Sequence, residues 1–287
     1  MKKGIDISTY NAVSDYAAVA RTVSFAVLKI INASNVEDKR FATHLTGCRT
    51  YNIPVLGVYN YSYAETTAKA KSDAQAVIRT LQKYSLNTIV WLDIEEQAIA
   101  KRLGSALIDI VLTYKNTINA AGYQFGVYTG MSYYNSYLKK YESRLDGIPM
   151  WIARYPSSAT MTIDKDPSES KKPAIRNIVA WQYSSKGSIP GIAGNVDLNI
   201  LYDEGLLSGA PSAPAAPATT SSKYYPKYTG ATNTSIVSGL AGVGEKDTSY
   251  THRCKIAKAN GITGYTGTAK QNLYMLDLLK QGKLIKA

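Results

Sequence analysis

The sequence predicts an α/β protein: an irregular β/α barrel of about five βα units plus three strands, followed by a small C-terminal helical domain. Short apolar runs alternate with amphipathic helical stretches through the first half of the chain. Three further apolar runs follow with no convincing helix between them, and a segment rich in Pro, Ala and Ser then precedes a basic C-terminus. Alternating strands and helices are typical of parallel sheets, and eight strands in this order close into a barrel.

Five βα units occupy the first 138 residues. Each strand is a short apolar run, and each helix repeats its apolar residues with a helical period. The predicted strands are Ile5–Ser8, Phe25–Ile30, Val55–Ser62, Thr88–Ile94 and Phe125–Thr129. The predicted helices are 15–22, 38–51, 66–84, 102–121 and 132–138.

The last three strands are Pro149–Arg154, Ile178–Tyr183 and Val196–Leu201. A domain ending near residue 207 is short for a full eight-fold β/α barrel, which takes about 250 residues. The absence of the later helices accounts for the difference. In such barrels the functional site lies at the C-terminal ends of the strands.

A clear domain boundary is predicted at residues 208–222, where spaced prolines and small residues carry no charge. This composition is typical of an extended linker. It divides a barrel domain, 1–207, from a helical domain, 223–287. From Ala210 onward ten Lys/Arg oppose three Asp/Glu, within a net charge of +12 for the chain. A basic module favours an anionic partner, either nucleic acid or an anionic cell wall.

The segment Trp91–Glu96 carries two carboxylates, Asp93 and Glu95, at the end of an apolar run. On a strand, residues two apart point to the same face. Two buried acids disfavour each other's ionisation, and such pairs perform acid/base chemistry on glycosidic bonds. The alternative is a strand end whose acids simply reach solvent.

Other acids and aromatic residues fall at the same end of the predicted barrel. Aromatic faces stack on the C–H faces of sugars, and carboxylates bind hydroxyl groups and drive hydrolysis. Each aromatic residue, taken alone, is equally consistent with a place in the core. The candidates are Asp6, Tyr59, Tyr61, Tyr128, Trp151, Tyr155 and Asp197.

Seven motifs occur in one order along the chain: Gly4-Ile-Asp-Ile-Ser, Gly57-Val-Tyr-Asn-Tyr, Trp91-Leu-Asp-Ile-Glu, Gly126-Val-Tyr-Thr, Trp151-Ile-Ala-Arg-Tyr, Trp181-Gln-Tyr and Val196-Asp-Leu-Asn. Together they resemble the family 25 glycoside hydrolases, muramidases found in bacterial autolysins and phage endolysins. The resemblance covers almost the whole first domain and implies an irregular β/α barrel.

This resemblance implies hydrolysis of the β-1,4 bond between N-acetylmuramic acid and N-acetylglucosamine in peptidoglycan, with no metal or cofactor. Glu95 would be the general acid, and Asp93 would stabilise positive charge or orient the 2-acetamido group. Asp6 and Asp197 would complete an acidic floor, or would only orient other residues. The sugar subsites would be shaped by Tyr59, Tyr61, Tyr128, Trp151 and Tyr155.

Two departures from the family pattern stand out. Many relatives have His where Asn60 stands, which puts one substrate contact in doubt. The segment Thr9-Tyr10-Asn11-Ala12 lacks the Trp-Gln often found there. Neither departure removes a proposed carboxylate.

The C-terminal domain is predicted to contain helices 234–240, 251–260 and 268–281. Its sequence is similar to C-terminal modules of endolysins from phages of Gram-positive bacteria, which implies cell-wall binding. Its small size favours self-association. Its predicted core is Ile256, Ile262, Leu273, Leu276 and Leu279. Four tyrosines either contact glycan or pack on the helices: Tyr224, Tyr225, Tyr228 and Tyr265.

Lys2 and Lys3 are not followed by the apolar core of a signal peptide, and no run has membrane-spanning length. We therefore expect synthesis in a bacterial host cytoplasm and action at the cell wall after release through a membrane pore. Cys48 and Cys254 are expected to be unpaired. The rival interpretations are a non-catalytic carbohydrate-binding protein on the same barrel and a nucleic-acid binder; we expect neither nucleic-acid binding nor membrane insertion.

Overall fold

The computed structural model describes residues 1–208, 224–230, 235–245 and 247–286. The chain divides into two compact units, Met1–Pro217 and Ala218–Ala287. The predicted linker lies outside the described residues except for Ser208, so the domain bounds 1–207 and 223–287 stay predictions. In the four described ranges, no helix combines the length and apolar character that crossing a membrane requires.

The first unit consists of strands and helices in nearly regular alternation. Its strands are β1 (Lys2–Ile7), β2 (Phe25–Ile31), β3 (Val55–Tyr61), β4 (Ile89–Asp93), β5 (Phe125–Gly130), β6 (Met150–Ala153), β7 (Met161–Thr162), β8 (Ile178–Ser188) and β9 (Val196–Leu201). Its helices are α1 (Tyr16–Thr22), α2 (Phe41–Thr50), α3 (Thr67–Lys83), α4 (Gln97–Leu103), α5 (Ala106–Ala120), α6 (Met131–Tyr133) and α7 (Gly205–Ser208). A π-helical turn (Tyr134–Leu138) and a 3-10 helix (Lys139–Leu145) continue α6, and a 3-10 turn spans Glu169–Lys171.

Eight of these strands close into a barrel. Strands β1 to β6 are parallel neighbours in chain order, β8 is parallel to β6, and β9 is antiparallel to both β8 and β1. The short β7 pairs with β8 outside the closed ring. The predicted barrel of five βα units plus three strands is thereby confirmed. Strand β9 runs antiparallel because the connection 189–195 is too short for a crossover, which needs about a dozen residues.

Helix boundaries follow local capping chemistry. The side chain of Asp15 accepts a hydrogen bond from the backbone N–H of Ala18 at the start of α1, and Thr66 accepts one from Lys69 at the start of α3. The predicted helix 102–121 is interrupted at Gly104, which has φ +55° and ends α4. That left-handed conformation suits glycine, and α5 begins again at Ala106.

Trp91 fills the barrel interior beneath Asp93 and is 1% exposed. A β-carbon at Gly57 on β3 would lie 2.4 Å from Trp91 Nε1. A β-carbon at Gly126 on β5 would lie 2.2 Å from Trp91 Cζ3. The two Gly-Val-Tyr motifs therefore begin with glycine because the indole lies against both neighbouring strands.

The second unit contains α8 (Ile236–Gly242), α9 (Tyr250–Ala259) and α10 (Ala269–Gln281) among its described residues. Thr268 and Gln271 form a capping box at the start of α10. The unit's buried core is Tyr225, Ile236, Leu240, Ile256, Ala257, Met275, Leu276, Leu279 and Leu284.

In this unit one core prediction is wrong, and one alternative that the sequence left open is decided. Leu273 was expected in the core but is 63% exposed. It lies about 110° around α10 from the centre of the Met275, Leu276 and Leu279 stripe, given 100° per residue. Tyr225 is buried and donates to Glu245 at 2.6 Å, so this tyrosine packs on the helices.

Candidate active site

The four predicted carboxylates converge at one end of the barrel, which we call the mouth. Asp6 lies on β1, Asp93 ends β4, Glu95 follows two residues later, and Asp197 lies near the start of β9. Asp6 and Asp197 are Cα partners in the β1–β9 ladder, and their carboxyl groups share a hydrogen bond. Because β9 is antiparallel, its first residues, rather than its last, reach the mouth.

Asp93 and Glu95 point to the same face because the backbone stays paired beyond β4. The N–H of Ser62 donates to the Asp93 carbonyl at 2.8 Å, and the N–H of Ile94 donates to the Tyr128 carbonyl at 3.1 Å. Such pairing keeps residues 93 to 95 extended, and side chains two apart on extended chain share a face.

Asp93 is 4% exposed, and within the described part of the chain its Oδ1 atom has no hydrogen-bond partner. Burial raises the pKa of Asp93 well above its usual value, and the charge of Glu95 raises it further. The ammonium of Lys29 on β2 opposes this rise. That ammonium also lies 5.8 Å from the centre of the Tyr59 ring, beside the acids.

Glu95 is half-buried at the edge of the mouth. Burial is the main cause that raises its pKa, and the charges of Asp6 and Glu96 act in the same direction. A backbone hydrogen bond from Gly130 opposes them. A carboxyl group with a raised pKa stays protonated closer to neutral pH, as a general acid requires.

Asp6 is 6% exposed and accepts two hydrogen bonds on the same oxygen. The Asn199 side-chain amide donates to Oδ2 at 2.8 Å, and the Gln182 amide donates to it at 2.9 Å. Burial raises the pKa of Asp6 while these amides lower it. Burial also raises the pKa of the half-buried Asp197, and the neighbouring Asp6 raises it further.

Three of the predicted sugar-contacting aromatics donate hydrogen bonds to those amides. Trp151 Nε1 donates to Asn199 Oδ1 at 2.8 Å. The hydroxyl groups of Tyr128 and Tyr155 donate to Gln182 Oε1 at 2.8 and 2.6 Å. Trp151 is 2% exposed and Tyr128 is 7% exposed, whereas Tyr155 is 47% exposed.

The other two predicted aromatics lie on β3. Tyr59 is half-buried, and burial is the main cause that raises its pKa, with the charges of Asp6 and Asp93 acting in the same direction. The hydroxyl of Tyr61 donates to Glu96 Oε1 at 2.7 Å.

The residue between these two tyrosines, Asn60, faces away from the mouth. Its side chain is buried and accepts a hydrogen bond from the Tyr114 hydroxyl of α5 at 3.1 Å. This orientation is consistent with the doubt that the sequence raised about a substrate contact at position 60.

Sequence reasoning did not assign Gln182, Asn199, Lys29 or Glu96 to the site. The available signal was a polar side chain inside an apolar run. Lys29 continues the inward-facing series Phe25, Val27, and Asn199 lies two residues after Asp197 on the same face. Across residues 1–208 and the described parts of the second unit, no group of three or more His, Cys, Asp or Glu has an arrangement that could hold a metal ion.

The chain is similar to known glycoside hydrolases and lysozymes. The profile of "Glycosyl hydrolases family 25" matches residues 5–192. The autolytic lysozyme of Clostridium acetobutylicum is 28% identical over 212 residues, covering 72% of this chain and 57% of that protein. The lysozyme of Lactococcus phage mv1 is 22% identical over 169 residues, covering 55% of this chain and 81% of that protein.

A solved structure is similar as well. The modular autolysin LytC from Streptococcus pneumoniae superposes with a TM-score of 0.58 at 27% identity, covering 70% of this chain and 46% of that chain. The same autolysin has been solved with a synthetic peptidoglycan ligand. The present chain thus spans little more than half of the clostridial enzyme and less than half of the pneumococcal one.

Proposed function

Since the chain belongs to family 25 of the glycosyl hydrolases, we propose that it hydrolyses bacterial peptidoglycan at the β-1,4 bond between N-acetylmuramic acid and N-acetylglucosamine. One observation carries the proposal: acids from the first, fourth and last barrel strands meet at the mouth. The lysozyme names of the relatives and the peptidoglycan ligand of the pneumococcal autolysin support the same substrate.

In this mechanism Glu95 protonates the glycosidic oxygen as the bond breaks. Its raised pKa keeps the proton available, since burial and negative neighbours both disfavour its ionisation. Asp93, on the same face, stabilises positive charge at the anomeric carbon or orients the 2-acetamido group. Asp6 and Asp197 complete the acidic floor. The exposed Tyr155 and the half-buried Tyr59 and Tyr61 offer ring surface to sugars.

The basic second unit is proposed to bind the cell wall of a Gram-positive bacterium, so that the enzyme acts there. Its positive charge suits an anionic polymer, and joining a binding unit to a catalytic unit raises the local concentration of the catalyst at the polymer. The test compares two Glu95→Gln proteins, the full chain and one ending at Ser208, in sedimentation with purified walls. We expect the shorter protein to bind markedly less. Equal binding would contradict a wall-binding role for the second unit, and preference of the full chain for duplex DNA would favour the nucleic-acid alternative.

The catalytic proposal is tested with Glu95→Gln, which keeps the shape of the side chain but removes its acidic proton. We expect clearance of wall suspensions to fall by at least about 100-fold, the lower range of general-acid contributions. Glu169→Gln, at an exposed glutamate in a 3-10 turn, is the matched control and should retain activity. Full activity in Glu95→Gln would refute the assignment.

Mass spectrometry of the digested polymer identifies the bond. New reducing ends on muramic acid support the proposal, whereas new reducing ends on glucosamine would contradict it. Wall binding by the wild-type chain with no new reducing ends would favour the non-catalytic alternative.

A further inference from the structure

The Asp6–Asp197 pair has an asymmetric environment. Two amide N–H groups, from Asn199 and Gln182, point at the same oxygen of Asp6. An oxygen that accepts two such hydrogen bonds does not carry a proton itself, and hydrogen bonds donated to a carboxylate stabilise its ionised form. Asp197 lacks this pair of donors in the described hydrogen bonds, and it is more exposed than Asp6. The geometry therefore distinguishes two carboxyl groups that face each other across the β1–β9 ladder.

The amides cannot reverse without a penalty, because the groups that face each of them favour one orientation. The Trp151 indole N–H only donates, so the side-chain carbonyl of Asn199 must face it and the NH₂ group must face Asp6. Tyr128 and Tyr155 donate to the carbonyl oxygen of Gln182, but a hydroxyl can also accept, so the orientation of this amide is set chiefly by the Asp6 carboxylate, which only accepts. A flipped amide would turn its oxygen towards the Asp6 carboxylate, and a flipped Asn199 would also turn its NH₂ group towards the indole N–H of Trp151.

We propose that Asn199 and Gln182 are positioning residues that hold Asp6 as the anion of the carboxyl pair and leave the shared proton on Asp197. Trp151, Tyr128 and Tyr155 then act by aligning the amides, which gives the buried Trp151 and Tyr128 a role other than sugar contact. Only the kinetic test of this inference rests on the proposed function. With the proton on Asp197, this residue can donate a hydrogen bond to substrate at the mouth, and Asp6 beneath it supplies a fixed negative charge.

Other charged or titratable groups also surround this pair. They lie on or just beyond the strands that pack around Asp6, and a change in the charge of any of them would move the titration of the pair. They are Lys29 on β2, Tyr59 on β3, Asp93 at the end of β4, Glu95 beyond it, Tyr128 on β5 and Tyr155 after β6. The test therefore keeps all of the carboxyl groups and Lys29 unchanged in the kinetic variants.

The kinetic test measures kcat/KM against pH for wild type, Asn199→Leu and Trp151→Phe. Losing a charge-assisted hydrogen bond makes the Asp6 anion less stable, so the acidic limb should move to higher pH by about one unit in Asn199→Leu. Trp151→Phe frees the amide to turn and should move the limb in the same direction by less. Because both sites are buried, the exposed Tyr155→Phe serves as a milder variant, with a smaller shift expected. Loss of rate at every pH with an unmoved limb would indicate a merely structural role and overturn the proposal.

A second test does not depend on catalysis. Carboxyl-carbon NMR of aspartate-labelled Glu95→Gln protein follows the ionisation of Asp6 and Asp197 separately. We expect Asp6 to lose its proton at the lower pH and Asp197 at the higher one. The reverse order would overturn the inference even if the enzyme hydrolyses peptidoglycan, and the expected order would support it even if the proposed substrate were wrong.

Discussion

Gly126→Ala should destabilise the barrel, because the glycine accommodates Trp91. The added β-carbon would lie 2.2 Å from Cζ3 and 2.5 Å from Cε3 of the indole, whereas carbon atoms in contact stay about 3.5–4.0 Å apart. Trp91 would have to retreat by more than about 1 Å. It cannot do so freely, since its Nε1 edge packs against β3, where a β-carbon at Gly57 would lie only 2.4 Å from Nε1.

Overpacking a well-filled core costs about 1–3 kcal/mol, and blocked movement on both sides favours the upper value. A loss of about 3 kcal/mol lowers the Tm of a unit of this size by roughly 6–12 °C. Calorimetry or far-UV circular dichroism of the full chain measures the shift. Wall-clearing activity should also fall, because Asp93 follows Trp91 by two residues on the same face.

A double-mutant cycle with Trp91→Phe distinguishes this clash from a general intolerance of alanine. The phenyl ring lacks the outer carbons that the new β-carbon would meet. We therefore expect Gly126→Ala to cost at least about 1 kcal/mol less in the Trp91→Phe background than in wild type. An equal cost in both backgrounds, or a wild-type Tm for Gly126→Ala alone, would refute the packing argument.

Two further predictions concern charged side chains, the buried Asp93 and the Lys3 ammonium that holds a loop. Asp93→Asn should abolish activity yet stabilise the barrel at pH 7 by about 0.5–2 kcal/mol. The raised pKa of Asp93 means that the folded state loses stability as pH rises from the unfolded pKa through the folded pKa. The extra stability of Asp93→Asn over wild type should therefore vanish near pH 3 in a series of Tm measurements. If Asp93→Asn is no more stable than wild type at pH 7, the burial argument is wrong. Lys3→Met should loosen the segment around residues 163–166, because the Lys3 ammonium donates to the carbonyls of Ile163, Asp164 and Lys165 and pairs with Asp166 at 2.7 Å. Limited proteolysis should show faster cleavage there, whereas an unchanged rate would show that β7 holds the segment without Lys3.

The barrel could be predicted from the sequence because its strands are apolar runs bounded by clear turns and helices. Periodicity does not report the direction of a strand, so the sequence analysis did not predict that β9 runs antiparallel to β8 and β1. The two residues of β7 are too few to show any period. Leu273 illustrates another limit, since hydrophobicity alone does not say which side of a short helix meets the core.

The carboxylates of the mouth could be proposed from the sequence because acids at strand ends are chemically conspicuous. Gln182 and Asn199 were harder to assign, since an amide gains its role from what faces it across the barrel. Gln182 lies 176 positions from Asp6 along the chain, and their hydrogen bond exists only in the closed sheet. Trp151 shows the converse: an aromatic side chain suited to sugars instead lies buried as a hydrogen-bond donor.

The three tryptophans of the chain, Trp91, Trp151 and Trp181, all lie buried in the first unit, each no more than 2% exposed. The second unit has tyrosines but no tryptophan. Selectively excited tryptophan emission is therefore an intrinsic optical reporter of the barrel alone. Comparing it with the helical circular dichroism signal of the whole chain would resolve whether the two units melt together or separately, with no label attached.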